Sequence, residues 1–125
     1  MASALIVFPP IRTLEETIKN LDKDWFKGVV LSATYFEHFG VEKLKEKYRG
    51  MINPKKIENL PLEQIIMFLC ISGLINQPTY SKMIEVKNAR NDLVHTPWAN
   101  VAMAPADTKK LIEKAIECLK YLGVS

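Results

Sequence analysis

The chain has few of the residues that build metal, redox or disulfide sites. It contains two cysteines and two histidines in 125 residues. Cys70 and Cys118 lie far apart, each among apolar neighbours, so we expect two reduced core residues rather than a disulfide or a ligand pair. Two histidines without clustered cysteines leave little material for a transition-metal site. We therefore predict no metal site and no bound cofactor.

Long apolar runs, glycine-rich phosphate loops and alternating polar and apolar segments are also missing. The longest apolar run, residues 65–75, is well short of the ~20 residues that a membrane span needs. The apolar run at 4–8 is too short for a secretory signal and has no basic lead. We expect a soluble cytoplasmic protein with no membrane partner. The lack of period-two alternation predicts an all-α fold.

The charge is mildly basic, at +3. Such a balance permits an RNA partner without requiring one. The basic residues cluster somewhat, which is compatible with solvated helix faces or with a phosphate-binding track. The clusters are Lys43, Lys45, Lys47 and Arg49, then Lys55 and Lys56, and then Lys109 and Lys110.

The pattern of apolar residues predicts one helical domain, residues 13–123, after an N-terminal arm, residues 1–12, that contains a double proline at 9–10. Thr13 followed by Glu16 predicts a capping box for a first short helix. A second helix follows, which Gly40 either bends or ends, so that one long helix and a broken pair are the two alternatives. We expect a loop at 53–59 and then a third helix with Pro61 in its first turn. This helix is apolar almost all round from 62 to 75 and should be the buried centre of the bundle, and Gly73 near its end allows either tight packing or an early stop. A last helix begins at 105–107 and ends at Gly123, and its predicted core stripe is Leu111, Ala115, Cys118, Leu119 and Leu122.

The fourth helix carries a polar stripe at four-residue spacing, formed by Lys87, Asn91 and His95. Arg90 begins about 140° round the helix from His95, but its side chain is long enough to swing toward the stripe. Pro97 disfavours helical geometry at the preceding residue, which should end the helix near His95. In the last turn the helix dipole favours an imidazolium. A histidine so placed can give and take protons near neutral pH.

Arg90, Asn91 and His95, with three residues between the last two, resemble the signature of the HEPN family of small all-helical domains: arginine, a polar residue, any three residues, histidine. Residues 60–95 also resemble the second half of that fold, an apolar helix and a short turn before the motif helix. The resemblance implies an up-and-down bundle of about five helices. It further implies a homodimer in which two motif helices face each other and build one composite cleft.

Many members of that family cleave RNA, and the resemblance implies a metal-independent endoribonuclease. Cleavage by 2'-hydroxyl attack needs a base, an acid and positive charge at the phosphate. By analogy His95 transfers protons, Arg90 stabilises charge, and Asn91 orients the imidazole or holds a phosphate oxygen. Lys87 and Trp98 are candidate substrate contacts; alternatively, Lys87 is an exposed lysine and Trp98 packs in the bundle or at the dimer contact. The expected product carries a 2',3'-cyclic phosphate.

The family resemblance also suggests a role in a toxin–antitoxin or defence system, with a nucleotidyltransferase as a possible antitoxin partner. Some such toxins carry a modified tyrosine two residues after the histidine, where this chain has Pro97, so neutralisation by that modification is not expected. Three functional alternatives stay open. They are the ribonuclease, a non-catalytic HEPN-like module that binds a nucleotide, RNA or a partner, and a helical interaction protein of unrelated ancestry.

Two residues outside the motif also carry predictions. Glu37 lies among predicted core aromatics, where it either reaches the surface or pairs with Arg90. His38 stands beside Phe36 and Phe39 with no motif around it, so we interpret it as structural. For Arg90 and His95 themselves, the simpler alternative is an exposed helix end whose histidine satisfies the last carbonyls.

Overall fold

The computed structural model describes residues 11–19, 21–95 and 105–124; for residues 21–24, 95, 105 and 106 it describes the backbone alone. These residues form six helices, so the predicted all-helical bundle is confirmed for this part of the chain, with one short helix beyond the predicted five. The helices are α1 (Arg12–Lys19), α2 (Leu21–Lys47), α3 (Pro54–Glu58), α4 (Leu62–Ile71), α5 (Gln77–His95) and α6 (Pro105–Tyr121).

The long helix α2 is the centre of the bundle, because it packs against each of the other five helices. It runs through Gly40 without a break, so the continuous-helix alternative is the one observed. A Cβ atom added at Gly40 would lie 2.6 Å from Ile65 Cγ2. The absence of a side chain at this position therefore lets α2 and α4 approach closely.

The prediction that the apolar helix is the buried centre is wrong. α4 packs mainly against α2 and α5, and it ends at Ile71, so the early stop near Gly73 is the alternative observed. Ile65, Ile66 and Leu69 are fully buried against these neighbours, whereas Phe68 is 37% exposed and Ile71 is 71% exposed. An all-round apolar composition suits a central helix, but it equally suits an edge helix that leaves one apolar face open.

Two local predictions near helix starts are also wrong. The expected loop at 53–59 contains α3, which begins where the Asn53 side chain accepts a hydrogen bond from the Lys55 N–H at 3.0 Å. Thr13 lies inside α1, because that helix begins at Arg12. Its hydroxyl takes part in a hydrogen bond with Tyr35 instead of capping a helix. Ile11 is buried in the core, so the folded unit begins before the predicted boundary at residue 13.

The last helix agrees with its predicted core stripe. All five residues of that stripe are buried, and Gly123 follows the helix with φ +85°. This positive φ is the left-handed conformation that commonly ends helices at glycine. Within the described ranges, no helix has both the length and the apolarity to cross a membrane.

Candidate functional site

The predicted site lies on α5, which is fixed at its start by a cap. The Asn76 side chain accepts a hydrogen bond from the Thr79 N–H at 2.9 Å, and the Asn76 backbone carbonyl accepts one from the Tyr80 N–H at 2.9 Å. This is the usual geometry of an asparagine N-cap. Farther along, Met83, Val86 and Leu93 are buried, and the helix packs against α2, α4 and α6. The motif residues therefore lie on a helix that packs against three others.

The structure brings Arg90 and Asn91 into direct contact. Arg90 Nε donates a hydrogen bond to Asn91 Oδ1 at 2.9 Å, and both residues are half-buried. Neighbouring helical residues do not normally face each other, but the arginine side chain is long enough to fold back. A guanidinium has five N–H donors, and this is its one hydrogen bond to a described residue. The remaining donors are suited to bind an anion such as a phosphate.

Lys87 is covered by α4. The residue is only 7% exposed, and its Nζ lies 3.6 Å from Glu63 Oε1 at the start of α4. The alternative of an exposed lysine is therefore wrong. The carboxylate of Glu63 is itself 71% exposed, so the ion pair sits at the edge of the bundle. Lys87 forms no hydrogen bond or ion pair with Arg90 or Asn91; its amine lies against the neighbouring helix α4.

His95 is the last residue of α5, so the predicted helix through the motif is present. It follows Asn91 by about one turn, which places the two residues on the same side of the helix. The His95 side chain lies outside the part of the chain that is described, and so do Pro97, Trp98 and the arm residues 1–10.

Glu37 and His38 lie on α2, in a surface cleft of about 520 Å³ between α2 and α3. Glu37 is exposed and forms no ion pair with a described residue, so it does not pair with Arg90. His38 is half-buried, with its ring edge-on to Phe39 at a centroid distance of 4.8 Å. This contact agrees with a structural role. The cleft also contains an ion pair, Lys45 with Glu58 at 2.9 Å, which the sequence pattern did not reveal because α3 was expected to be a loop.

Cys118 does not have the surroundings of a catalytic nucleophile. Both cysteines are free thiols; Cys118 is buried and Cys70 is half-buried. Cys118 Sγ donates to the Thr79 carbonyl at 3.7 Å, and burial raises the pKa of this thiol to about 12. A thiol with such a pKa is protonated at neutral pH and unreactive. Among the described residues, no group of three or more histidine, cysteine or acidic side chains is placed to hold a metal ion.

Comparisons of this chain with protein-family models, with curated proteins and with solved structures found no match.

Proposed function

We propose that this protein is a metal-independent endoribonuclease of HEPN type. The observation that supports this proposal best is the Arg90–Asn91 pair, which α5 holds one turn before His95 at its end. The pair offers guanidinium donors beside an amide, and the histidine that follows supplies a group able to move protons near neutral pH.

The chemistry requires no metal. One histidine accepts the proton of the ribose 2'-hydroxyl while the 2'-oxygen attacks phosphorus. The bond from phosphorus to the 5'-oxygen breaks, and a second histidine gives that oxygen a proton. Arg90 binds the phosphate oxygens, where negative charge accumulates in the transition state. Asn91 holds the guanidinium in place. The products are a 2',3'-cyclic phosphate and a 5'-hydroxyl.

The need for two proton-transfer groups favours a composite site in a homodimer. One motif helix supplies one His95, whereas cleavage uses a base and an acid. Two α5 helices facing each other supply both, together with two arginines. Val94 is 52% exposed next to His95. An exposed apolar side chain at this point of the motif helix suits burial at a protein interface.

Lys87 and Trp98, the two further candidate RNA contacts, differ in what they require to reach the substrate. Lys87 keeps its amine against Glu63, so its contact with RNA requires that this ion pair exchange for a phosphate. Trp98 follows the motif closely in sequence and is proposed to stack on a base. The proposal also places the protein in the cytoplasm, with RNA as its substrate. It assigns the protein to a toxin–antitoxin or defence pair. A nucleotidyltransferase is the candidate antitoxin.

The test is cleavage of an end-labelled single-stranded RNA in excess EDTA. We expect Arg90→Ala and Asn91→Ala to slow cleavage, the former by 100-fold or more because transition-state charge loses its partner, on the order of 3 kcal/mol. Matched controls are Arg12→Ala and Asn88→Ala, which remove the same kinds of side chain at exposed positions outside the motif and outside the basic clusters. Equal rates for the motif variants and their controls would remove the basis of the assignment.

A non-catalytic binding module is the second candidate, because a half-buried guanidinium with open donors binds a phosphate without any proton transfer. It predicts RNA or nucleotide binding that Arg90→Ala weakens and no cleavage by the wild-type protein. A fluorescence-anisotropy titration with the same RNA, run beside the cleavage assay, distinguishes the two functions.

A further inference from the structure

An apolar groove lies between α2, α3 and α4, and none of its lining residues belongs to α5. We call it the α4 groove; it has a volume of about 390 Å³. The end of α2, the segment around α3 and the outer face of α4 form its walls. Its apolar lining includes Ile52, Ile57, Leu60, Phe68 and Ile71. A volume of this size lies within the range of sites that take a few side chains of a ligand.

The groove belongs to the most apolar exposed surface of the described chain. Eight large apolar side chains are exposed among the described residues, and five of them lie on α4 or in the turn before α3. Ile71 is 71% exposed and Met51 is 75% exposed. Apolar side chains concentrated in this way mark an interaction site more often than scattered ones do. The five are Met51, Ile52, Met67, Phe68 and Ile71.

Exposed basic residues lie in this groove and beside its lining residues along the chain. Lys56 lines the groove itself, and three more exposed basic residues lie in the segment that forms its wall: Lys47, Arg49 and Lys55. None of these four forms an ion pair with a described residue. Two carboxylates in the same part of the chain are already engaged, Glu58 by Lys45 and Glu63 by Lys87. Between residues 44 and 71, four basic side chains and one acidic side chain, Glu46, form no ion pair with a described residue, so the segment carries an excess of positive charge.

We propose that the α4 groove binds an acidic, amphipathic peptide segment of a partner protein. Apolar side chains at helical spacing enter the groove between Ile52, Phe68 and Ile71. Aspartate and glutamate side chains on the flanks of the segment meet the basic rim. This combination is the usual helix-in-groove mode, in which apolar anchors supply affinity and rim charges supply orientation and specificity. The proposal is independent of the ribonuclease assignment.

The charge pattern favours this occupant over two others. In a two-fold contact between copies of this chain, the same patch meets itself, so the basic rims would face each other and repel. The apolar N-terminal residues, 1–10, contain no acidic side chain, so they leave the rim without counter-charges. An acidic, amphipathic segment of another protein fills the apolar groove and also supplies counter-charges to the basic rim.

The experiment is a selection of phage-displayed random 16-residue peptides on the immobilised full-length protein, with depletion on Ile71→Glu. We expect the enriched peptides to combine apolar residues three or four positions apart with an excess of aspartate and glutamate. Fluorescence anisotropy should show that Ile71→Glu weakens binding of an enriched peptide about tenfold or more. Tyr121→Glu is the matched control, because Tyr121 is an exposed apolar residue on α6, at 53% exposure, and it should not change binding.

The rim is tested by a second matched pair. Lys55→Glu with Lys56→Glu should weaken the same peptide strongly. Lys109→Glu with Lys110→Glu changes the net charge equally at two exposed positions on α6 and should have a much smaller effect. Enrichment of neutral or basic peptides, no enrichment over Ile71→Glu, or equal effects of the two charge reversals overturns the proposal. So does a wild-type dimer that Ile71→Glu dissociates, because a second copy then occupies the groove.

Discussion

At the scale of single residues, the Arg90 side chain lies against Asn91 instead of extending into solvent. The sequence placed both residues on one helix, but it did not predict this hydrogen bond, because adjacent helical positions point in different directions. For Lys87, in contrast, the sequence predicted an arrangement that helix packing changes. Its spacing assigned it to a polar stripe, whereas the position of α4, which the local pattern does not contain, buries it beside Glu63.

Cys118 gives a prediction about stability at alkaline pH. Its thiol titrates near 9.0 in an unfolded chain, and burial raises its pKa to about 12 in the folded protein. Between these values the unfolded chain has lost a proton that the folded chain keeps, so rising pH favours unfolding. The stabilisation is complete below pH 9 and is lost as the pH rises toward 12. From pH 8 to pH 10 we expect a loss on the order of 1 kcal/mol that Cys118→Ala does not show.

Urea unfolding of both proteins under reducing conditions at the two pH values measures this difference. The comparison isolates Cys118, because Cys70 and the other titrating groups are present in both chains. A parallel decline in the two proteins would show that the Cys118 thiol titrates normally when folded.

At the scale of helices, amphipathic patterns predicted what faces the core when one face was clearly apolar. The stripe of α6 is buried as its spacing indicated. α4 shows the limit of the method, because a helix that is apolar on every side has no pattern that tells its covered face from its open one. For α3, Asn53 and Pro54 form a typical helix start, but the polar composition of the segment favoured a loop.

The contact of α2 with α4 yields a prediction at this scale. Gly40→Ala places a Cβ 2.6 Å from Ile65 Cγ2 and 3.3 Å from Leu69 Cδ1. The Ile65 atom is attached close to the backbone, so the two helices must separate slightly, which costs about 1–3 kcal/mol. The better helix propensity of alanine offsets up to about 1 kcal/mol of this cost. We expect a net destabilisation of about 1–2 kcal/mol in urea unfolding.

The control for this variant is Thr34→Ala, at an exposed position on the same helix, which should change stability little. If Gly40→Ala were as stable as this control, the close approach of α2 and α4 would have no energetic importance.

At the scale of the whole molecule, the proposals assign two exposed apolar features of the described helices to different partners. Val94 marks the motif end of α5, which we assign to the second copy of the chain. The α4 groove is assigned to an acidic segment of another protein. The sequence contained the motif and the apolar helix, but the separation of these two surfaces depends on how the helices pack.

Val94→Glu tests the dimer. A buried carboxylate at a two-fold contact faces its own copy, so we expect the variant to sediment as a monomer and to cleave RNA more slowly. Tyr121→Glu is a close control, because the two residues are 52% and 53% exposed. A Val94→Glu protein with unchanged association and unchanged cleavage would place the dimer contact elsewhere.

The ribonuclease assignment is tested most directly by the ends of the RNA fragments that wild-type protein and His95→Ala produce in EDTA. The proposed chemistry predicts 2',3'-cyclic phosphate and 5'-hydroxyl ends from the wild-type protein and almost no fragments from His95→Ala, while His38→Ala still cleaves. Fragments with other ends, or equal cleavage by wild-type protein and His95→Ala, would contradict it.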